Sequence, residues 1–287
     1  MCSVRNDTPG AGSQPHATSE GTIDTSSQLP SQSATWAPSV RALISELTFG
    51  IPAVLGDGLV GLYLYGSMVT GDFDERISDI DLLAVTRVDL DADQLDRLDA
   101  AHGRIEQRYP AWVDRIEIAY LSTTALATFR QIRSPIAVIS PGEPLHIKDA
   151  GGDWLINWYI VRTQALTLLG PPAHDVIEEI TTDELRQAVR AQTQQWRQYV
   201  HSASHPGFQA YAILTACRGL YTYEHAVIVS KQRSAQWAKQ RLPQWGQLID
   251  QALRLRALGG RVGEADHAET VRFVNAIADQ INPATAP

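Results

Sequence analysis

The sequence predicts an α+β protein in which a domain with a mixed sheet and flanking helices precedes a bundle of α-helices. Three observations predict it. Up to about residue 145, apolar segments with the two-residue period of strands alternate with segments of helical period, and after Gly152 the period is helical almost throughout. The third observation is a pair of carboxylates, Asp79 and Asp81, at the start of an apolar segment, where unpaired charge is costly.

The first domain is predicted to span residues 38–150. Apolar residues at helical spacing predict a helix over 38–55, and an amphipathic pattern predicts a second helix over 91–109. Short apolar runs predict strands over 59–65 and 79–86, and apolar residues in rough alternation predict a third strand over 113–121. We therefore expect strands and helices to interleave in this part of the chain.

The second domain is predicted to be helical and to span residues 151–283. Its helical segments, which are separated by Gly-Pro pairs and Gly-rich turns, are 153–169, 182–200, 208–227, 231–241, 244–258 and 264–281. Residues 1–37 are rich in Ser, Thr, Gly, Pro and Gln and nearly free of large apolar side chains, so we expect a disordered tail there.

Composition argues against several classes of protein. The 287 residues are 44% apolar and carry a net charge of −8, which argues against a nucleic-acid partner because such partners favour basic patches. The sequence shows no run of 18 apolar residues and no apolar core of a secretory signal, so we expect no membrane segment and a cytoplasmic protein. The acidic excess suits a cationic small-molecule ligand, and we expect a monomer.

The paired carboxylates have a chemical use. Because side chains alternate along a strand, Asp79 and Asp81 face the same side, and a cation between them relieves their repulsion. Their oxygens suit Mg²⁺, which is held by one or two carboxylates and by phosphate oxygens of the substrate. Glu117, in the middle of the third predicted strand, adds a third acid if the two strands are neighbours. The set predicts a site for two Mg²⁺ ions, as in phosphoryl or nucleotidyl transfer.

Gly66 and Ser67 follow the first predicted strand and open a short helix. Glycine permits close approach of the backbone and a helix N-terminus binds phosphate, so the β/γ end of a triphosphate is predicted to lie there. The alternative is an ordinary hairpin with charged residues near its edge. A lone Asp-x-Asp would favour the hairpin, whereas the full pattern with Glu117 favours the phosphate site.

Two stretches resemble a known family. YGSMVTGDFDERISDIDLL at 65–83 resembles the signature of the polymerase-β-like nucleotidyltransferase superfamily, and DRIEI at 114–118 resembles its third-carboxylate strand. AILTACRGLYTYEHAVIVSKQRSAQWAKQRLPQ at 212–244 resembles the C-terminal helical region of the aminoglycoside 3″- and 9-adenylyltransferases, which inactivate streptomycin and spectinomycin. The resemblance implies transfer of AMP from ATP to a hydroxyl of an aminoglycoside or aminocyclitol antibiotic, and hence resistance to it.

The resemblance also implies roles for individual residues. Asp79 and Asp81 would hold Mg²⁺, with ATP as co-substrate. Glu117 would be the base that deprotonates the antibiotic hydroxyl. Arg218 and Lys231 would hold the ATP phosphates from the helical domain.

The local sequence around Arg218 and Lys231 also indicates that each of these cations needs an anion. Arg218 lies beside an apolar helical stripe, where a half-buried guanidinium needs an anion, either a phosphate or a structural carboxylate such as Glu224. Lys231 follows Ser230, a predicted N-cap, and a cation at a helix N-terminus opposes the helix dipole unless a phosphate binds there.

The predicted acceptor side departs from the family pattern. An acidic residue that helps streptomycin-modifying relatives to bind the drug is missing from HPGFQAY at 205–211, which favours spectinomycin-like acceptors. Asp153 and Trp154 resemble an acid–tryptophan pair of the family at a different spacing. Trp154 and Trp158 could stack on a drug ring or belong to the core of the helix over 153–169.

Two other functions remain open at the level of sequence. The same site could act on another small molecule or on a protein hydroxyl, or the fold could serve as a non-catalytic, antitoxin-like nucleotide-binding module. Glu117 separates these functions, because a binding module needs a phosphate site but no base.

Overall fold

A computed structural model describes residues 35–202, 205–259 and 266–283. The predicted disordered tail, residues 1–37, lies outside the described residues except for its last three. The strands are β1 (Leu59–Tyr65), β2 (Ile80–Thr86), β3 (Ile116–Ser122), β4 (Ser134–Ser140), β5 (Glu143–Ala150) and β6 (Leu166–Leu169). The α-helices are α1 (Pro38–Leu55), α2 (Ser67–Thr70), α3 (Ala92–Arg108), α4 (Thr123–Thr128), α5 (Leu155–Gln164), α6 (Ala173–Val176), α7 (Thr182–Tyr199), α8 (Pro206–His225), α9 (Lys231–Arg241), α10 (Gly246–Ala257) and α11 (His267–Ile281).

The six strands form one mixed sheet in the order β5-β4-β3-β2-β1-β6. β2 and β3 are parallel, whereas the other neighbouring strands are antiparallel. A parallel pair needs a crossover connection, which here contains α3. The predicted α+β fold, a mixed sheet with flanking helices followed by a helical domain, is confirmed.

Alternation along the central strands divides the core into two layers. Leu62, Leu64 and Leu82 are buried in the layer that contains α1 and α3. Tyr63 and Leu83, on the opposite face, are buried with residues of the helical domain. Odd-numbered residues of β1, β2 and β3 therefore face the helical domain.

The helical domain is arranged around α8. This helix packs against α7, α9, α10 and α11, and most of its residues from Ala210 to Cys217 are buried. Capping side chains explain where several of these helices begin, because each accepts a hydrogen bond from a backbone N–H of the first turn. The capping residues are Thr181 for α7, Ser230 for α9 and Asp266 for α11.

One helix among the described residues, over Pro38–Gly58, is long and apolar enough to cross a membrane, with a mean hydropathy of 1.2. The helix predicted over 38–55 lies in this segment, and no membrane segment is expected from the sequence. Leu43, Ile44 and Leu47 of α1 are fully buried in the core layer beneath the sheet. A core helix meets the same criterion of length and composition, so this observation is weak evidence for a membrane.

Two predictions of local structure are wrong. The helix expected over 153–169 ends at Gln164, and β6 follows it and pairs with β1, so the sheet extends past the predicted domain boundary near residue 150. The third strand begins at Ile116 rather than at residue 113, because Asp114 has a φ of 58° and forms a turn instead of extended backbone.

The turn after β6 yields a prediction about stability. Gly170 has a φ of +83°, and a Cβ added there would overlap the Val60 carbonyl oxygen and lie 2.8 Å from the Cα of Gly61. We expect Gly170→Ala to lower the free energy of unfolding by roughly 3 kcal/mol or more, measured by chemical denaturation.

Gly142→Ala is the matched control. Gly142 has a similar φ of +77°, but nothing lies within 4 Å of an added Cβ. Its substitution should cost only about 1–2 kcal/mol, the strain of the left-handed conformation. Equal losses for the two variants would show that β6 does not pack on β1 as described.

Candidate functional site

Three side chains form a row across the centre of the sheet. In the strand register, Tyr65 of β1 lies opposite Asp81 of β2, and Asp81 lies opposite Glu117 of β3. Residues opposite each other point to the same side, so all three face the helical domain. Asp79 immediately precedes β2 and faces the same space.

This space is a cavity of about 460 Å³ between the two domains. The first domain contributes Tyr65, Gly66, Ser67, Asp72, Asp79, Asp81 and Glu117 to its lining. The helical domain contributes, among others, Asn157, Tyr211, Arg218, Ser230, Lys231 and Arg256. Acids therefore line one wall and cations the other.

Burial makes the acidic wall unfavourable for ionised carboxylates. Burial, followed by repulsion from Glu117 and Asp79, raises the pKa of Asp81 to about 8. Burial also raises the pKa of Glu117, with a contribution from Asp79. The pKa of Asp79 is raised by burial alone, against the attraction of Arg115 and Lys231. Burial, together with repulsion among the acids, thus favours the protonated form of these carboxyls.

The cationic wall disfavours the charged form of its lysine. Burial lowers the pKa of Lys231 to about 7, and repulsion from Arg218 and Arg256 contributes to this shift. Asp81 and Asp79 act in the other direction, but they do not offset the burial. The ammonium nitrogen of Lys231 lies 3.8 Å from the centroid of the Tyr211 ring, which is a cation–π contact.

Local sequence explains why Lys231 reaches this position. Ser230 caps α9, because its hydroxyl accepts a hydrogen bond from the Arg233 N–H at 3.1 Å. The cap fixes Lys231 as the first residue of the helix. The structure therefore places a cation at a helix N-terminus, where the helix dipole disfavours it.

The turn at Gly66 and Ser67 lies against Asp81. Gly66 has a φ of +70°, and a Cβ there would overlap the Asp81 carboxylate, so only glycine fits. The Ser67 N–H donates a hydrogen bond to the Asp81 carboxylate. Both residues line the cavity as expected for a phosphate site, but this N–H already has a partner in the protein without ligand.

Arg218 projects from α8 into the cavity. Glu224, the structural carboxylate considered from the sequence, lies instead 3.6 Å from the Arg241 guanidinium. In the described ranges, Arg218 forms no salt bridge and no hydrogen bond with a protein side chain. A half-buried guanidinium of this kind is suited to bind an anion.

The structure does not bring the predicted acceptor residues to the cavity. Asp153 forms a salt bridge with Arg133 at 2.9 Å and accepts a hydrogen bond from the Gly151 N–H. Trp154 and Trp158 stack with their ring centroids 5.4 Å apart, and Trp158 is only 1% exposed. Trp158 is a core residue of α5, and Trp154, which directly precedes the helix, is partly buried against the same core. Another face of the helix, with Asn157, lines the cavity.

Four of the lining residues that sequence reasoning missed bear on the charge balance of the site. Tyr65 was marked only by its place next to Gly66; burial, then Glu117 and Asp81, raise its phenol pKa well above the ordinary value. Tyr211 lies in the stretch that drew attention for lacking an acid. Asp72 and Arg256 form a salt bridge at 2.9 Å across 184 residues of chain, a separation that no local pattern signals.

Two family models match the chain, in the order of its two domains. A nucleotidyltransferase domain matches residues 55–134, which contain all three acids. The C-terminal domain of aminoglycoside adenylyltransferase matches residues 175–281, which contain Arg218 and Lys231. No curated protein sequence matches the chain.

Among solved structures, the chain is similar to spectinomycin adenyltransferase AAD(9) from Enterococcus faecialis, determined with ATP and spectinomycin. The TM-score is 0.69 at 16% sequence identity, and the match covers 84% of this chain and 98% of that chain. At this identity the similarity shows the fold, which includes both domains. The two family matches, over residues 55–134 and 175–281, together with this fold support an aminoglycoside adenylyltransferase-like nucleotidyltransferase.

Proposed function

We propose that the protein transfers AMP from ATP to a hydroxyl group of an aminoglycoside or aminocyclitol antibiotic, of the spectinomycin or streptomycin class, and so confers resistance. We infer that it does so as a cytoplasmic monomer. One observation carries the proposal: Asp79, Asp81 and Glu117 face Arg218 and Lys231 across a single cavity. A complex of Mg²⁺ with ATP has charges that complement both walls, and the volume of about 460 Å³ is typical of small-molecule sites.

The triphosphate is assigned to the cationic wall. Lys231 and Arg218 lack carboxylate partners within hydrogen-bonding distance in the described ranges, and an anion would relieve their mutual repulsion. Ser67 adds a hydroxyl donor on the opposite side. Phosphate oxygens between these groups would receive charge-assisted hydrogen bonds from both domains.

The acidic wall suits Mg²⁺. Within the part of the chain that the structure describes, no three His, Cys, Asp or Glu side chains converge closely enough to hold a metal as one group. Mg²⁺ needs only one or two carboxylates, because phosphate oxygens and water complete its coordination, so the donor set of Asp79, Asp81 and Glu117 fits. When bound, Mg²⁺ offsets negative charge on the reacting phosphates.

Glu117 is assigned as the general base. It would accept the proton of the acceptor hydroxyl while the hydroxyl oxygen forms a bond to the α-phosphorus of ATP and pyrophosphate leaves. An alcohol is a poor nucleophile at neutral pH, so a positioned base is needed. The raised pKa of Glu117, caused by burial and by Asp79, brings its basicity closer to that need.

The lining supports a spectinomycin-like rather than a streptomycin-like acceptor. Residues 205–211 reach the cavity through Gly207, Ala210 and Tyr211 and contain no carboxylate. Strongly basic guanidinium groups bind best to carboxylates, which this part of the wall does not offer. An acceptor with weaker cationic groups is therefore favoured.

The first test is transfer itself. The protein is incubated with ATP, Mg²⁺ and a panel of aminoglycosides that includes spectinomycin and streptomycin, and mass spectrometry detects an increase of one AMP. We expect Glu117→Gln, which keeps shape and removes basicity, to lower kcat by roughly 10²–10⁴ with ATP binding little changed.

Asp114→Asn is the matched control for this test, because Asp114 precedes β3 in a turn and does not line the cavity. It should retain wild-type turnover. An unchanged kcat in Glu117→Gln would place the base elsewhere. Absence of AMP on every antibiotic, together with intact ATP binding, would instead favour another acceptor or a non-catalytic module.

The assignment of the triphosphate predicts a ranking of variants. Lys231→Ala should weaken Mg²⁺–ATP binding by roughly 10- to 100-fold in titration calorimetry, because a full charge on the phosphates is lost. Ser67→Ala should cost less, since it removes a neutral donor. Arg233→Ala is the control, an exposed cation in the same turn of α9 that does not line the cavity. Wild-type affinity in Lys231→Ala would make this lysine structural.

The raised pKa of Asp81 predicts a dependence of stability on pH. The folded protein binds this proton up to about pH 8, whereas an unfolded aspartate loses it near pH 4. Its contribution to stability is therefore present at low pH and is lost as the pH rises towards 8. Without Mg²⁺, Asp81→Asn should melt at a higher temperature than wild type at pH 8, with a smaller difference at pH 5. The opposite trend would show that a cation balances the Asp81 carboxylate. Independently of its stability, Asp81→Asn should not transfer AMP.

A further inference from the structure

Asp72 lies where three functional segments meet. It follows α2 by two residues, and its backbone N–H donates to the Ser67 carbonyl oxygen at 3.3 Å, which ties it to the turn at Gly66 and Ser67. Its side chain is only 8% exposed, although it is a carboxylate in a loop. A carboxylate buried to this extent requires partners, and both of them come from the other domain.

The first partner is in the last turn of α10. The Asp72 carboxylate accepts a hydrogen bond from Arg256 Nη1 at 2.9 Å, and Arg256 Nη2 donates to the Asp72 carbonyl oxygen at 3.4 Å. The second partner is in the first turn of α9, where the Gln232 N–H donates to the same carboxylate oxygen at 3.3 Å. Asp72 thus joins the turn at Gly66 and Ser67 to two helices of the second domain.

Both contacts act on cations of the cavity. Gln232 directly follows Lys231, so the bond to its N–H holds the end of α9 from which Lys231 projects. Arg256 itself lines the cavity, and its charge is close enough to lower the pKa of Lys231. The Asp72 carboxylate therefore orients the Arg256 guanidinium and links the first turn of α9 to the first domain.

We propose that Asp72 is a positioning residue for nucleotide binding, which sets Lys231 and Arg256 against the turn at Gly66 and Ser67 through its contacts with α9 and α10. The inference rests on the proposed function only in taking the ligand to be Mg²⁺–ATP. A partly buried ion pair adds little net stability compared with apolar packing. The main effect of the salt bridge between Asp72 and Arg256 is therefore to orient the side chains and helices that it joins. Asp72 is assigned to act through these contacts with α9 and α10.

The test is Asp72→Asn, which keeps the shape and removes the charge. We expect the dissociation constant of Mg²⁺–ATP, measured by titration calorimetry without acceptor, to rise roughly tenfold. In the transfer assay the KM for ATP should rise to a similar extent, while kcat falls less than about threefold because Asp79, Asp81 and Glu117 are unchanged.

Glu184→Gln is the matched control. Glu184 forms a salt bridge at 2.6 Å with Arg130, which also joins the first domain to the helical domain but lies outside the cavity. The same carboxylate-to-amide change there should leave the dissociation constant within twofold of wild type, even if it lowers the melting temperature. If Asp72→Asn does not fold, Asp72→Glu keeps the charge and displaces the carboxylate by one methylene, and it should also weaken binding.

The outcomes separate this inference from the proposed function. A folded Asp72 variant with wild-type affinity for Mg²⁺–ATP overturns the inference, whatever its melting temperature. A wild-type protein that binds Mg²⁺–ATP but modifies no acceptor refutes the proposed function and leaves the comparison of affinities valid. A wild-type protein that does not bind Mg²⁺–ATP refutes both.

Discussion

Negative charge buried at the centre of the sheet is the constraint on which the arrangement of this protein depends. Asp79, Asp81 and Glu117 share a face that must also be covered by apolar helices for the sheet to be stable. Lys231 lowers the pKa of all three, and it comes from the domain that covers them. The helical domain therefore has two tasks that act at one place: it closes the apolar face of the sheet, and it brings cations to the acids.

Much of the fold follows from local sequence. β1 and α9 have the predicted limits, because a short apolar run that ends at Gly66 defines the strand and Ser230 defines the first turn of the helix. β6 was missed for a non-local reason. It has only four residues, and Ala165 and Leu168 continue the helical spacing of Trp158 and Val161 in α5. It becomes a strand because β1, about 100 residues earlier in the chain, offers it an open edge.

The residues of the site differ in the same way, because some follow from local sequence and others from contacts between distant segments. Residues within one short motif, such as Gly66, Asp79 and Asp81, can be found from spacing, because the chemistry of carboxylates on a strand restricts their use. Glu117 required the assumption that β2 and β3 are neighbours, which the parallel register supplies. The salt bridge between Asp72 and Arg256 depends on how two domains meet, and no spacing in the sequence encodes it.

The tryptophans show a choice that the sequence leaves open. Trp154 and Trp158 resemble a family feature in their residue types, and their aromatic rings suit a drug as well as they suit a core. Residue type cannot decide between these uses, whereas burial can: Trp158 is 1% exposed and stacks on Trp154 inside the second layer of the core. Resemblance in a short stretch of different spacing was therefore a poor guide to which face of α5 meets the cavity.

The two walls of the cavity together explain why one ligand should be favoured over its parts. A triphosphate alone would meet the cations Lys231 and Arg218 but would also approach three carboxyl groups, and Mg²⁺ alone would meet the carboxylates and be repelled by the cations. The pKa of Lys231, lowered to about 7, and that of Asp81, raised to about 8, show that neither wall is balanced in the free protein. Under the proposed function, the metal–nucleotide complex relieves both imbalances at once, because its Mg²⁺ meets the acidic wall and its phosphates meet the cationic wall. The repulsion that makes the free site costly is then the source of its selectivity for the complex over either component.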